Sequence, residues 1–420
     1  MTGRRVGTVL LAAGLAVAGG GAPTSAQESG PRRPAMAEPG AELTVYVMTM
    51  GPGERIWERF GHNAIWIVDT ARGTSKAYNY GLFSFRQENF LLRFVQGRML
   101  YWMGSADGLE DAARYAADGR AVWVQELDLP PTTRAALRDF LEWNERPENR
   151  FYRYDYYLDN CSTRVRDALD RVLGGIIRAQ LDTVPTGTTY RSHTRALTAP
   201  DPLLYTGIHF LLGHPADRAL DAWDEGFLPL RLRDHLRRVT VTHADGRVVP
   251  LVRAERALYE SALPPPPSSP PAWVPAYLAI GGAVGLALVR LGRRAGRTGG
   301  RGFGLAGAGW AFLGGLAGLV LLGMWFFTDH VVASRNENLL QANPLLLPLA
   351  LVLPRIGPHA KRLAPLAVGL AAGAAGLSLL GLVVQLLPGF DQPNGEILAL
   401  MVPANLGLAL GTRLAAGSHP

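Results

Sequence analysis

Residues 263–271 read LPPPPSSPP, and the chain changes composition across them. A run of prolines fixes φ and removes backbone donors, so this stretch is extended and semi-rigid and belongs to neither a helix nor a sheet. Before it, residues 41–262 mix charges, aromatics and turn signals as a soluble domain does. After it, residues 272–412 are mostly Leu, Ala, Gly and Val with few charges, the composition of a membrane region. The expectation is therefore a soluble domain (41–262), a Pro-rich linker (263–271), a transmembrane domain (272–412) and a short cytoplasmic tail (413–420).

The apolar half holds five candidate spans, near 272–290, 303–327, 339–354, 363–387 and 396–412. The third and fifth are short against the ~20 residues a helix needs to cross a bilayer, which leaves a re-entrant segment open at those places. The loop after the first span carries Arg290, Arg293, Arg294, Arg297 and Arg301, and the loop after the third carries Arg355, Lys361 and Arg362, both without an acid. By the positive-inside rule these loops are cytoplasmic, and the loops at 328–343 and 388–396 face outward. The N-terminus fits the same topology. Arg4 and Arg5 precede the apolar run VGTVLLAAGLAVAGGGA and then Thr24-Ser25-Ala26, the order of a secretory signal cleaved after residue 26, with 27–40 as a flexible leader. The net charge of +7 lies largely in the signal and the cytoplasmic loops, so no nucleic-acid footprint is expected on the soluble domain. The chain is therefore expected to be a multi-pass membrane protein with its N-terminal domain exported.

Within the soluble domain, ELTVYVMTM (42–50), HNAIWIVD (62–69), KAYNYGLF (76–83) and AVWVQELDL (121–129) read as strands, the second and third as a hairpin. PTTRAALRDFLEWNE (131–145) reads as a helix with Thr132 or Thr133 as its cap. In CSTRVRDALDRVLGG, Val165, Ala168, Leu169 and Val172 recur at helical spacing, Gly174 supplies a stop, and Asp159, Asn160, Ser162 and Thr163 supply capping groups.

Cys161, the only cysteine in the chain, therefore stands at the first turn of a helix, in a compartment where disulfides persist. Unpaired N–H groups and the positive end of the helix dipole favour a thiolate there, and the same groups can stabilise an oxyanion. Packing alone is the competing account. Of six histidines in the soluble domain, His62 opens a strand after a glycine; the other five (His193, His209, His214, His235 and His243) lie downstream in segments read as loops or helices. A strand-borne His facing a helix-start Cys is the arrangement of papain-like thiol enzymes, with a third polar residue orienting the ring. Asn79, on the partner strand, is the candidate for that role. His209 and His214 have no third ligand nearby in sequence, so no metal and no cofactor is expected.

The segments RFGHNAIWI, AYNYG and YRYDYYLDNCSTRVRDAL resemble the signature segments of the Lnb N-terminal periplasmic domain, and the likeness continues through LLGHPADRALDAWDEGFLPLRL and weakly into TDHVVASRNENLLQANPL. The resemblance implies an α+β fold, a circularly permuted NlpC/P60 (papain-like) domain in which His precedes Cys, followed by an all-α transmembrane domain of about five helices. Carried over residue by residue, the family's Cys falls on Cys161 and its His on His62. It further implies a lipoprotein N-acyltransferase, with a phospholipid as acyl donor and a diacylated lipoprotein as acceptor. Tyr152, Tyr154 and Asp155 are candidates for shaping the substrate pocket or the oxyanion site, and His330, Asn336, Asn338 and Asn343 for lining the site from the outward loop. A peptidoglycan hydrolase or amidase, a phospholipase, and a non-catalytic membrane-anchored binding module remain the alternatives.

Overall fold

A computed structural model of the protein describes residues 38–298, 301–356 and 362–417. The expected signal peptide and almost all of the leader lie outside the described residues, as do Lys361 and the last three residues of the tail.

The soluble part is a mixed α/β domain. Its strands are β1 (Leu43–Met50), β2 (His62–Asp69), β3 (Thr74–Leu82), β4 (Leu100–Asp107), β5 (Val122–Leu127), β6 (Phe151–Arg153), β7 (Pro185–Thr189), β8 (Ala219–Asp221), β9 (Thr240–Thr242), β10 (Val248–Pro250) and β11 (Val252–Tyr259). Seven of them form one sheet in the order β11-β5-β1-β2-β3-β4-β6, every neighbouring pair antiparallel. The helices of this part are α1 (Phe90–Val95), α2 (Gly108–Ala117), α3 (Pro131–Glu145), α4 (Cys161–Val172), α5 (Ile176–Leu181), α6 (Tyr190–Thr198), α7 (Pro202–Leu211), α8 (Ala222–Glu225) and α9 (Pro229–Leu236).

Successive strand residues face opposite sides, so the apolar runs of β1 and β2 supply two cores. Val45, Val47, Ile65 and Ile67 pack with Leu137 and Leu141 of α3 and Val165 and Leu169 of α4. Each such buried side chain contributes about 2 kcal/mol of transfer free energy. Met48, Met50, Ala64, Trp66 and Ala77 take the other face, with Ala112 of α2. Even-numbered β2 residues such as His62 thus share the α2 face, and Asn63 turns toward α4. One cap differs from expectation. α3 begins with Pro131 at its first position after Pro130, and neither Thr132 nor Thr133 caps it, because the proline ring presets φ and has no N–H to satisfy.

The C-terminal part is helical: α10 (Val274–Thr298), α11 (Gly302–Phe327), α12 (Leu346–Val352), α13 (Ala364–Val383) and α14 (Gly395–Ala416). Four of these are long and apolar enough to cross a membrane. The fifth expected span is not short: α14 has 22 residues and runs through Pro403. The third is the exception, a short helix extended only by a 3-10 turn at Leu353–Arg355. α10 and α14 lie parallel and close, with glycines at the crossing; a Cβ on Gly285 would meet Pro403 O at 2.3 Å and one on Gly411 would meet Leu288 O at 2.7 Å.

The two parts are fastened together. Asn336 donates to Phe210 O (2.9 Å) and Leu211 O (3.1 Å), Asn338 donates to Phe210 O (2.9 Å), and Tyr205 donates to Glu396 (2.9 Å), which also pairs with Arg195.

Candidate active site

The first turn of α4 is held by its cap. Asn160 Oδ1 accepts from the Ser162 (2.8 Å) and Thr163 (3.0 Å) amides, while its Nδ2 donates to Tyr156 O (2.8 Å) and Phe227 O (3.0 Å). Asn63 of β2 donates to Ser162 Oγ (3.0 Å), which donates to Gly226 O (2.7 Å). The cap orients the helix and the Asn63–Ser162 contact pins it to the strand. Cys161, the first helical residue, is left partly exposed beside β3. It can come this close because of Gly81, which has φ +84°, and where a Cβ would lie 3.4 Å from that of Cys161. The β3–β4 register shifts between Asn79 and Leu82, at the same place.

His62 is oriented by a relay that determines its tautomer. Asn79 Nδ2 donates to Asp111 Oδ2 (2.8 Å) and Ala77 O (3.2 Å), so its Oδ1 faces His62 Nε2 at 2.9 Å. Nε2 must then carry a proton, which leaves Nδ1 for the Cys161 thiol. Asp111 is buried and receives Arg114 Nη2 at 2.7 Å. The imidazole lies stacked on Tyr115 of α2, ring centroids 5.8 Å apart, and the Arg120 guanidinium lies over the Tyr115 ring, 4.6 Å from its centroid. Asp111 and Tyr115 escaped the sequence reading. The available signal was an acid at i+3 in the Gly108, Asp111, Ala112, Tyr115 stripe of a helix whose other buried residues are small.

The electrostatics follow from this contact. Burial alone raises the Cys161 thiol, but the adjacent His62 charge, the hydrogen bond between them and the Asn63 and Ser162 amides bring it below its ordinary value. Burial alone lowers His62, but the Cys161 charge and the hydrogen bonds to Cys161 and Asn79 raise it above its ordinary value. Both directions favour a thiolate–imidazolium pair.

Tyr152 of β6 completes the wall. Its buried hydroxyl has no hydrogen-bond partner, and it lies 3.8 Å from where a Cβ on Gly81 would be, on the Cys161 side of that residue. Burial and the Cys161 charge hold its pKa well above 10, so it stays a donor. Tyr154 stacks on Tyr101 (4.3 Å), packs in the same cluster as Cys161 and is likewise held protonated by burial and by the Cys161 charge.

The remaining sequence candidates go elsewhere. Asp155 caps a turn, accepting from Tyr157 N and Leu158 N at 2.9 Å. Asn336 and Asn338 are buried in the hydrogen bonds to α7 described above, where their polar groups join the two parts and do not line a pocket at the thiol. Asn343 is buried against α11 near Gly318. Of the four loop residues only His330 meets the aromatic wall, stacking on Tyr156 at 6.0 Å. Among the other imidazoles, His193 and His235 bracket the Glu225 carboxylate (2.8 and 2.7 Å), His209 lies between Arg191 and Glu396, His214 faces Asp391 and His243 faces Asp128.

Residues 38–196 match the Lnb N-terminal periplasmic domain, and residues 301–387 match the Lnb transmembrane domain. The chain belongs to the Lnb family. The two matches together cover more than half of it, in the order that the family has them, with the His62, Asn79 and Cys161 cluster inside the first. Neither a curated protein nor a solved structure matches it. This Lnb protein is therefore a membrane protein with a periplasmic N-terminal domain.

Proposed function

We propose that the protein is a thiol acyltransferase of the bacterial inner membrane that moves an acyl chain from a phospholipid to the N-terminal amine of a diacylated lipoprotein. The observation that carries this reading is the Cys161–His62–Asn79 alignment, with the Nε2 proton fixed by Asn79, in a domain hydrogen-bonded to membrane helices.

The Cys161 thiolate attacks the ester carbonyl of the donor. The Cys161 N–H at the helix start and the Tyr152 hydroxyl are the donors for the oxyanion. Collapse breaks the ester C–O bond, His62 gives its Nδ1 proton to the leaving alkoxide, and a lysophospholipid departs from a Cys161 thioester. The acceptor's α-amine then attacks the thioester, His62 takes the proton the amine loses, and the amide forms as the thiol is regenerated. An amide is more stable than a thioester, so the second half runs downhill. Asn79 and Asp111 keep the imidazole in the tautomer that both halves use.

The test is the mass of lipoprotein N-terminal peptides from a host lacking its own N-acyltransferase, expressing the wild type or Cys161→Ala. An added acyl chain with the wild type alone is the expected result. A free amine in both strains would overturn the reading, and the muropeptide and lysophospholipid profiles of the same cells would then separate a cell-wall hydrolase from a phospholipase.

A further inference from the structure

α1 leaves Leu91, Leu92, Phe94 and Val95 in solvent, with Phe85 exposed beside them. Four such side chains on a six-residue helix form a contiguous apolar patch of a kind that marks an interaction surface. An open groove of about 620 Å3 runs between Phe85, Phe90, Leu91, Leu92 and Val95.

The position of the patch says what covers it. Asp329 N donates to Gln96 O (2.8 Å), His330 Nε2 donates to Phe94 O (3.0 Å), and a Cβ on Gly97 would stand 2.9 Å from His330 N. The Asp329 carboxylate takes Arg98 (3.0 Å) and Arg153 (2.5 Å). Asp329 is two residues beyond Phe327, where α11 ends, and Phe326 and Phe327 are themselves exposed. The C-terminal end of α1 is thus fastened within one helical turn of the point where a membrane-crossing helix leaves the hydrocarbon. Arg86 and Arg93 flank the patch in sequence, as cations beside a lipid-facing surface do. On its inner side the patch continues into the site through Phe90 on Phe83, Phe83 on Tyr101 and Tyr101 on Tyr154.

We propose that α1 is an interfacial membrane helix, seating Leu91, Leu92, Phe94 and Val95 in the headgroup–acyl boundary of the outer leaflet. An apolar face so placed is buried by lipid and not by water, at a depth of roughly 5–10 Å. The inference rests on the crossing of α11 and not on acyl transfer.

The single cysteine makes the test direct. The full chain carrying Cys161→Ser receives one new cysteine, Leu91→Cys or Val95→Cys, and a nitroxide label, and is reconstituted in vesicles of phosphatidylethanolamine and phosphatidylglycerol. Relaxation by oxygen, which concentrates among acyl chains, is compared with relaxation by a water-soluble nickel chelate. Labels at Leu319, on the exposed side of α11, and at Val248, exposed on β10, give the lipid and water references. The expected oxygen-to-nickel ratio at Leu91 and Val95 is several-fold above that at Val248 and approaches that at Leu319. Ratios equal to the Val248 value at both positions would overturn the proposal and make the patch a protein-binding surface, with the acyl-transfer reading untouched.

Discussion

Asn79 is the residue through which the site's chemistry is most sharply tested, because its own amide orientation is fixed from behind by Asp111 and Ala77. Losing it frees the ring to rotate or to swap tautomers without removing the base. His62→Ala is expected to lower single-turnover acylation of Cys161, read by protein mass, by roughly 10²–10⁴-fold, and Asn79→Ala by less but in the same direction. Tyr152→Phe isolates the oxyanion. It is expected to slow acylation about 10²-fold while leaving alkylation of Cys161 by iodoacetamide unchanged, since alkylation needs the thiolate but no oxyanion donor. An equal loss in both reactions would make Tyr152 a structural residue. The pH profile follows from the two shifts. The thiolate is lost as pH falls through the lowered Cys161 value, and the imidazolium that protonates the leaving group is lost as pH rises through the raised His62 value. A bell is expected, its two limbs belonging to the coupled pair. In Asn79→Ala the alkaline limb should move to lower pH, because one of the hydrogen bonds raising His62 is gone.

At the scale of elements, the start of α4 depends on a single side chain. Asn160→Ala removes a cap worth about 1 kcal/mol and also strands Tyr156 O and Phe227 O. A lower unfolding midpoint in detergent, with acylation reduced in proportion to the misplaced helix start, is the expected outcome. The same elements show what the sequence reveals and why. β2 is rich in β-branched and aromatic residues and ends in a turn, and the helix at Cys161 has both a cap and an apolar period, so the positions of His62, Asn79 and Cys161 follow from pattern. β11 does not show, because it is an edge strand whose residues are mostly exposed and carry no period-two alternation. Asp111 does not show because an acid in a short helix ordinarily signals solvent, and only the fold brings it to Asn79. The full length of α14 is masked at its C-terminal end, where Arg413 interrupts the apolar run; inside the helix Asn405 is satisfied by Gln341 O (3.0 Å), Ser378 Oγ (2.7 Å) and Trp310 (3.0 Å).

For the whole molecule the decisive question is parity. Four crossings would return the chain to the side of its N-terminal domain, whereas the arginine-rich loops require an odd number. Those loops imply that the segment around α12 supplies the missing crossing in broken form. Its residues pass along α11 from Ala342 and Asn343 beside Gly318, through Leu347 beside Gly315, to Leu353 and Pro354 beside Gly304. Arg355 therefore reaches the same end as the start of α11, although only ten residues of the path are helical. In the non-helical upper half protein satisfies some of the polar groups, Gln341 donating to Ser378 O (3.1 Å) and Asn394 to Asn338 (2.9 Å), while Gln341 Oε1 and the Asn343 side-chain amide are buried without a hydrogen-bond partner among the described residues. Labelling with a membrane-impermeant maleimide checks the count. In the Cys161→Ser background, Asp391→Cys, exposed in the loop between α13 and α14, should react in intact spheroplasts, and Arg355→Cys only after the membrane is opened. Reaction of Arg355→Cys from outside would turn the segment into a re-entrant loop.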